Sequence, residues 1–147
     1  MTNHNISTIG VIGAGQMGGG IAQVAAVAGF ATTVYDAFPG AIDKCKALHD
    51  KLLGRAVEKG KMTQEDADAA KGRLTYSQSL DNLSGSDILI EAVVEDVAVK
   101  KDLFTKAAPL LNAGGILASN TSSISITDLA TAVPDLADRF IGMHFFN

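Results

Sequence analysis

Two rhythms of apolar and polar residues alternate along the chain. Short runs, several rich in β-branched residues ("STIGVIG", "ATTVYD", "LTYS", "DILIEAVVE" and "GGILASN"), read as strands. Between most of them lie longer stretches whose apolar positions recur with helical period. "AGQMGGGIAQVAAVAGF" reads as a helix with Gly29 as its stop. Pro39 suits the first turn of a long helix running to about Lys59, since its missing N–H would have no intrahelical partner there. Gly60 breaks that helix, and Thr63, with Asp66 three residues on, opens the next as a loose capping box. "VAVKKDLFTKAAPLL" is helical, with Val97, Val99, Phe104 and Leu110 among its apolar positions. Ser125 and Asp128 can cap a short helix in "SITDLATAV", and "DRFIGMHFFN" supplies a last strand running toward His144.

This order predicts an α/β fold: a Rossmann-type, doubly wound, mostly parallel sheet with helices on both faces. The 147 residues are enough for one domain with a sizeable core, and no repeat or linker divides them. "DILIEAVVE" is apolar enough to be buried on both sides, as a central parallel strand requires.

The stretch from Met1 to Tyr35 contains no Asp, Glu, Lys or Arg and could pass for a membrane span or signal peptide. Its lack of a positive n-region argues against secretion. Seven glycines between Gly10 and Gly29, with Gln16 and Gln23 interrupting the run, fit a buried strand, a glycine turn and a buried helix better. A net charge of −4 and only 5% aromatics leave no basic, aromatic-interleaved surface for nucleic acid. An anionic ligand must therefore be held locally. Cys45 is the single cysteine, which excludes an internal disulfide, cannot build a metal site alone and favours a reducing, cytoplasmic location. Mid-helix, it reads as a buried or half-buried residue.

"GAGQMG" sets Gly13, Gly15 and Gly18 at G-x-G-x-x-G spacing, a weak signal alone, since a tight turn without a ligand gives the same pattern. Here a strand precedes it, a helix follows, and an acid closes the next strand. Gly13 permits the turn, Gly15 lets backbone approach a pyrophosphate, and Gly18 lets helix and strand pack closely. Ala14, Gln16 and Met17 complete the cofactor loop, Met17 by packing. Unpaired amides and the helix dipole favour phosphate there. Asp36, 23 positions after Gly13, is placed to accept hydrogen bonds from ribose hydroxyls and to repel a 2′-phosphate. NAD is thus expected over NADP.

With "GAGQMGGGIA", "EAVVE", "SNTSS" and "GMHFFN" in order, the whole chain resembles the 3-hydroxyacyl-CoA dehydrogenases, including the bacterial 3-hydroxybutyryl-CoA enzymes. The resemblance implies that Asp36 is the ribose acid and that Glu95 and Lys100 lie near the nicotinamide. It implies that Ser122 contacts substrate and cofactor, that Asn147 stands beside the catalytic histidine, and that His144 is the catalytic base. Lys59 loosely matches a lysine that meets CoA phosphates. The resemblance also implies a helical C-terminal domain, carrying much of a homodimer contact, and a glutamate further along that orients the histidine. Neither lies within residues 1–147, so these are expected to form a truncated NAD-binding domain that turns over poorly.

Each assignment has a plainer alternative. Glu95 and Lys100 could be a solvated pair at a helix start, and Lys59, beside Lys61, simple surface charge. Ser122 could satisfy backbone groups in a turn, although Ser125 can cap its helix alone and so frees Ser119 to Ser123 for a ligand. His144 could pack on Phe145 or Phe146. His4 reads as a tail residue and His49 as a helix-surface one. Oxidation of a 3-hydroxyacyl-CoA by NAD, with His144 as base and Ser122 and Asn147 holding the reacting oxygen and cofactor, is the leading expectation. The alternatives are an NAD(H)-binding module without chemistry, and a related dehydrogenase acting on a hydroxy acid without CoA. No metal, nucleic acid or membrane partner is expected.

Overall fold

The structure, a computed structural model, describes residues 5–145. The expectations for His4 and Asn147 fall outside the described residues.

Six parallel strands form one sheet: β1 (Thr8–Ile12), β2 (Ala31–Tyr35), β3 (Leu74–Ser77), β4 (Ser86–Glu91), β5 (Leu111–Ser119) and β6 (Phe140–Gly142). Their order across the sheet is β3-β2-β1-β4-β5-β6. The chain winds outward from β1 to β3, then returns to the other side of β1 and winds outward again to β6. The reversal opens a crevice between the carboxyl ends of β1 and β4, where folds of this kind hold dinucleotides. Helices α1 (Gln16–Val27), α2 (Pro39–Glu58), α3 (Gln64–Arg73), α4 (Val97–Ala107) and α5 (Ile126–Ala130) complete the domain. The charge-free N-terminal stretch is the expected strand, turn and helix. No helix among the described residues is long and apolar enough to cross a membrane.

Successive strand residues point to opposite faces, so two cores form. Ile9, Val11, Val34 and Ile90 pack with Ile21, Ala22 and Ala25 of α1 and with Ile42 and Cys45 of α2. Ile12, Leu89 and Leu117 pack on the other face with Phe104 and Ala107 of α4 and Leu129 of α5. Phe104 and Phe140 meet edge to face at 5.0 Å, a favoured aromatic geometry.

The local signals act as the sequence suggests. Pro39 opens α2, Thr63 accepts the Asp66 amide at the start of α3, and Ser125 accepts the Asp128 amide at the start of α5. Two expectations change. The α4 helix stops at Ala107 rather than running on to Leu111, because Pro109 breaks the α-helical ladder and leaves a 3₁₀ turn at Ala108–Leu110. β5 therefore begins at Leu111, before "GGILASN".

His49 also differs, being buried at 1% exposure. Its ring nitrogens lie 2.5 Å from the Tyr76 hydroxyl and 2.7 Å from the Gly19 carbonyl oxygen. It ties α2 to β3 and to α1. A single polar residue on an amphipathic helix gave no sign that both neighbours offer it a partner.

Candidate functional site

The site begins where β1 ends. Gly13 has φ of +112°, and a Cβ there would lie 2.6 Å from the Ala92 carbonyl oxygen, so the loop after β1 passes the loop after β4 only with glycine in place. A Cβ on Gly18 would run into the Gly13 carbonyl oxygen, which makes Gly18 the contact that seats α1 against the loop. Gly15 is the N-cap of α1, with open space where a side chain would stand. No side chain caps this helix and no acid lies in its first turn, so its amides remain open to an anion. Gln16 is exposed, and Met17 packs on the Val11 core as expected.

Asp36 follows β2 and turns back to this loop. Its Oδ2 accepts the Ala14 amide at 2.9 Å and its Oδ1 accepts the Phe38 amide at 3.0 Å. Each carboxylate oxygen keeps a lone pair for a further donor. A cleft of about 700 Å³ joins Gly13 and Gly15 to Asp36, walled by Phe38, Val93 and Val99. Its walls are apolar apart from two acids, Asp36 and Asp102, and Asp36 beside the glycine loop suits a planar base with a ribose diol.

Across the crevice, β4 and β5 end in a polar network. Glu91 is fully buried, as is Lys100, and Glu91 Oε2 accepts from Lys100 Nζ at 2.5 Å and from the Val93 amide at 2.7 Å. Glu91 Oε1 accepts from the Ser119 hydroxyl at 2.5 Å. Lys100 Nζ also lies 3.2 Å from Glu95 Oε1. Glu95 Oε2 then accepts from Thr121 at 2.6 Å and Ser123 at 2.9 Å. Burial pushes the Glu95 carboxyl up, but hydrogen bonds from Thr121, Ser123 and Lys100, with the Lys100 charge, outweigh it and lower its pKa to about 2.

The hydroxyls of Ser119 to Ser123 are thus not all open to a ligand, as the capping role of Ser125 had suggested. Ser119, Thr121 and Ser123 are taken by the two glutamates, and Ser122 stays exposed between Thr121 and Ser123. Nor are Glu95 and Lys100 a solvated pair, since Lys100 is inside the protein.

His144 comes to this loop from β6. The amide before it, Met143 N, donates to the Ser119 carbonyl, and the amide after it, Phe145 N, donates to Asn120 Oδ1, each at 3.0 Å. The histidine is exposed, and the residues on either side of it are tied to Ser119 and Asn120. Lys59 is not brought to this group. It caps the far end of α2, about 30 Å of helix from Pro39, on the β3 side of the sheet.

Glu91 had no predicted role, and Asn120, Thr121 and Ser123 were expected only as part of a stretch left free for a ligand. An acid closing an otherwise apolar strand was the available signal for Glu91, because a buried carboxylate needs a partner. Among the described residues, no group of three or more His, Cys, Asp or Glu is arranged to hold a metal ion.

A switch-point crevice with a glycine loop, an uncapped helix and an acid turned back to that loop defines a dinucleotide-binding domain. Residues 8–147 match the sequence model of the 3-hydroxyacyl-CoA dehydrogenase NAD binding domain, and the chain belongs to that family. NAD is the cofactor of such a domain. The chain is 49% identical over 138 residues to a probable 3-hydroxybutyryl-CoA dehydrogenase of Deinococcus radiodurans, covering 94% of this chain and 49% of that protein. It resembles the crystal structure of (S)-3-hydroxybutyryl-CoA dehydrogenase from Ralstonia eutropha, with a TM-score of 0.91 and 43% identity over 97% of this chain and 50% of that one. The Escherichia coli 3-hydroxybutyryl-CoA dehydrogenase structure gives a TM-score of 0.93 at 38% identity, covering 97% and 30%. The chain thus spans about half the length of the curated relatives it matches.

Proposed function

We propose that residues 1–147 supply the NAD-binding domain of an L-3-hydroxyacyl-CoA dehydrogenase, interconverting 3-hydroxyacyl-CoA and 3-oxoacyl-CoA. A short chain of the 3-hydroxybutyryl type is favoured, as the relatives' names suggest. The observation that carries this is the bracketing of His144 by Ser119 and Asn120, which sets an exposed imidazole beside the loop following β5. A dinucleotide-binding module without chemistry has no use for that arrangement.

The residues present fit the cofactor. Gly13 to Gly18, including Ala14, Gln16 and Met17, cradle the pyrophosphate, and Asp36 takes the adenosine ribose. Glu95, Ser122 and Asn147 attend the nicotinamide half, with Lys100 behind Glu95. NAD, when bound, supplies the hydride acceptor. His144 takes the proton from the substrate hydroxyl, a task suited to an imidazole, whose ring nitrogen can accept and release a proton, and returns it in reduction. Ser122 and Asn147 hold the reacting oxygen and the cofactor in place. Lys59 meets the CoA phosphates. The complete protein acts in the cytoplasm as a homodimer, with neither nucleic acid nor membrane as partner.

The test is oxidation of NADH by this chain in the presence of acetoacetyl-CoA, with free CoA as competitor. Turnover that CoA inhibits supports the proposal, even if slow. NADH binding with no turnover, here and in a longer chain, favours the binding module. Turnover on hydroxy acids that free CoA leaves unaffected favours a related dehydrogenase without CoA.

A further inference from the structure

The proposed roles leave one charged group unexplained. Glu91 does not line the cleft that holds Asp36 and meets its wall only through the Val93 amide, yet it is fully buried at the end of β4 and paired with an equally buried lysine. Burying either charge alone is strongly unfavourable, so each must be fully partnered. Glu91 is: Ser119 takes one carboxylate oxygen, while Lys100 and the Val93 amide share the other. Lys100 points from Glu91 toward Glu95, whose side chain is 40% exposed and whose other oxygen holds Thr121 and Ser123.

The contacts therefore run in one direction: from β5, through β4 and α4, to the loop around Ser122. Lys100 exposes no side-chain surface, so it acts on a ligand through Glu95 and not by touching it. The position of this relay is also defined. Asp36 follows β2 on one side of β1, and Glu95 and Thr121 follow β4 and β5 on the other. A dinucleotide spanning the crevice lays its second mononucleotide over the latter side.

We infer that Glu91 is a positioning residue: seated between Ser119 and Lys100, it aims the ammonium at Glu95 and so holds the 121–123 loop for the nicotinamide half of the cofactor. The inference rests on the dinucleotide reading of the site proposed above.

Glu91→Gln keeps the side-chain size and can still meet Ser119 or Val93, but removes the charge that orients Lys100. Two ligands separate the outcomes: NADH, and ADP-ribose, which lacks the nicotinamide. In this chain Glu91→Gln is expected to weaken NADH binding about tenfold, the scale of one charge-assisted hydrogen bond. ADP-ribose binding should stay within about twofold, because Asp36 and the glycine loop are untouched. Glu91→Asp, which keeps the charge, should recover part of the NADH affinity. Should Glu91→Gln fail to fold, the double variant Glu91→Gln/Lys100→Met removes both buried charges, a change that folds often tolerate. It is expected to show the same selective loss.

A folded variant that binds NADH as tightly as the parent overturns the inference, as does equal loss of both ligands. Failure of both variants to fold makes the pair purely structural and overturns it too. A parent chain that binds neither ligand overturns the dinucleotide reading itself, and the positioning role with it.

Discussion

Asn120 accepts the amide of Phe145 through its side-chain oxygen at 3.0 Å, and this bond couples the loop after β5 to the segment that carries His144. Asn120→Ala should leave NADH affinity unchanged and lower acetoacetyl-CoA reduction by roughly tenfold to a hundredfold, the cost of a misplaced catalytic group. His144→Gln should keep NADH binding and abolish turnover. Steady-state rates beside NADH titrations would check both; unchanged turnover in His144→Gln would remove the histidine from its proposed role.

Asp36 joins two tasks, because the carboxylate proposed to face a ribose also holds the Ala14 amide. Asp36→Ala should weaken NADH and ADP-ribose together, by about tenfold or more, the effect of losing hydrogen bonds to a charged acceptor. The parent should bind NADPH far more weakly than NADH. Comparable dissociation constants for the two would show that Asp36 does not face the ribose.

Gly18→Ala adds a methyl group against the Gly13 carbonyl oxygen. The helix must shift to accommodate it, at about 1–3 kcal/mol, typical of overpacking. A thermal melt should show a Tm lower by several degrees. NADH affinity should fall as well, because the shifted element carries the amides proposed to bind the phosphates.

The Cys45 thiol is pushed up to about 11, first by burial and then by the negative charge of Asp36. Almost none of it is thiolate at pH 8, and the thiolate is the reactive form. Alkylation by iodoacetamide at pH 8 should therefore be far slower than for glutathione, and 6 M guanidinium should abolish the difference. Rapid labelling of the native chain would contradict the burial.

Glu95 is held at about 2 against its usual 4.5, so the folded state binds its proton more weakly than the unfolded chain. The stability this provides is fully present above pH 4.5 and disappears as pH falls toward 2. The side chain is partly exposed, which reduces the effect through solvent screening. Glu95→Gln should be less stable than the parent in urea at pH 7, and the two unfolding curves should converge on acidification. A gap that persists at pH 2 would assign the loss to packing.

The alternating strands and helices, the Pro39 start, the Thr63 and Ser125 caps, and the Gly13–Gly18 loop with Asp36 were all legible in the residue order. Each depends on interactions within a few residues, or on a motif whose parts fold next to one another. The pairing of Glu91 with Lys100, the burial of His49 and the seizure of three loop hydroxyls by glutamates were not. Glu91 and Ser119 stand on neighbouring strands yet 28 positions apart in sequence, and His49 and Gly19 on different helices 30 positions apart. Strand order and register decide such meetings, and neither is written into local periodicity. The residue order determined the kinds of element and the loop that can receive a phosphate. Tertiary packing decided which charges could leave water, because a buried charge is tolerated only where distant segments deliver its partners.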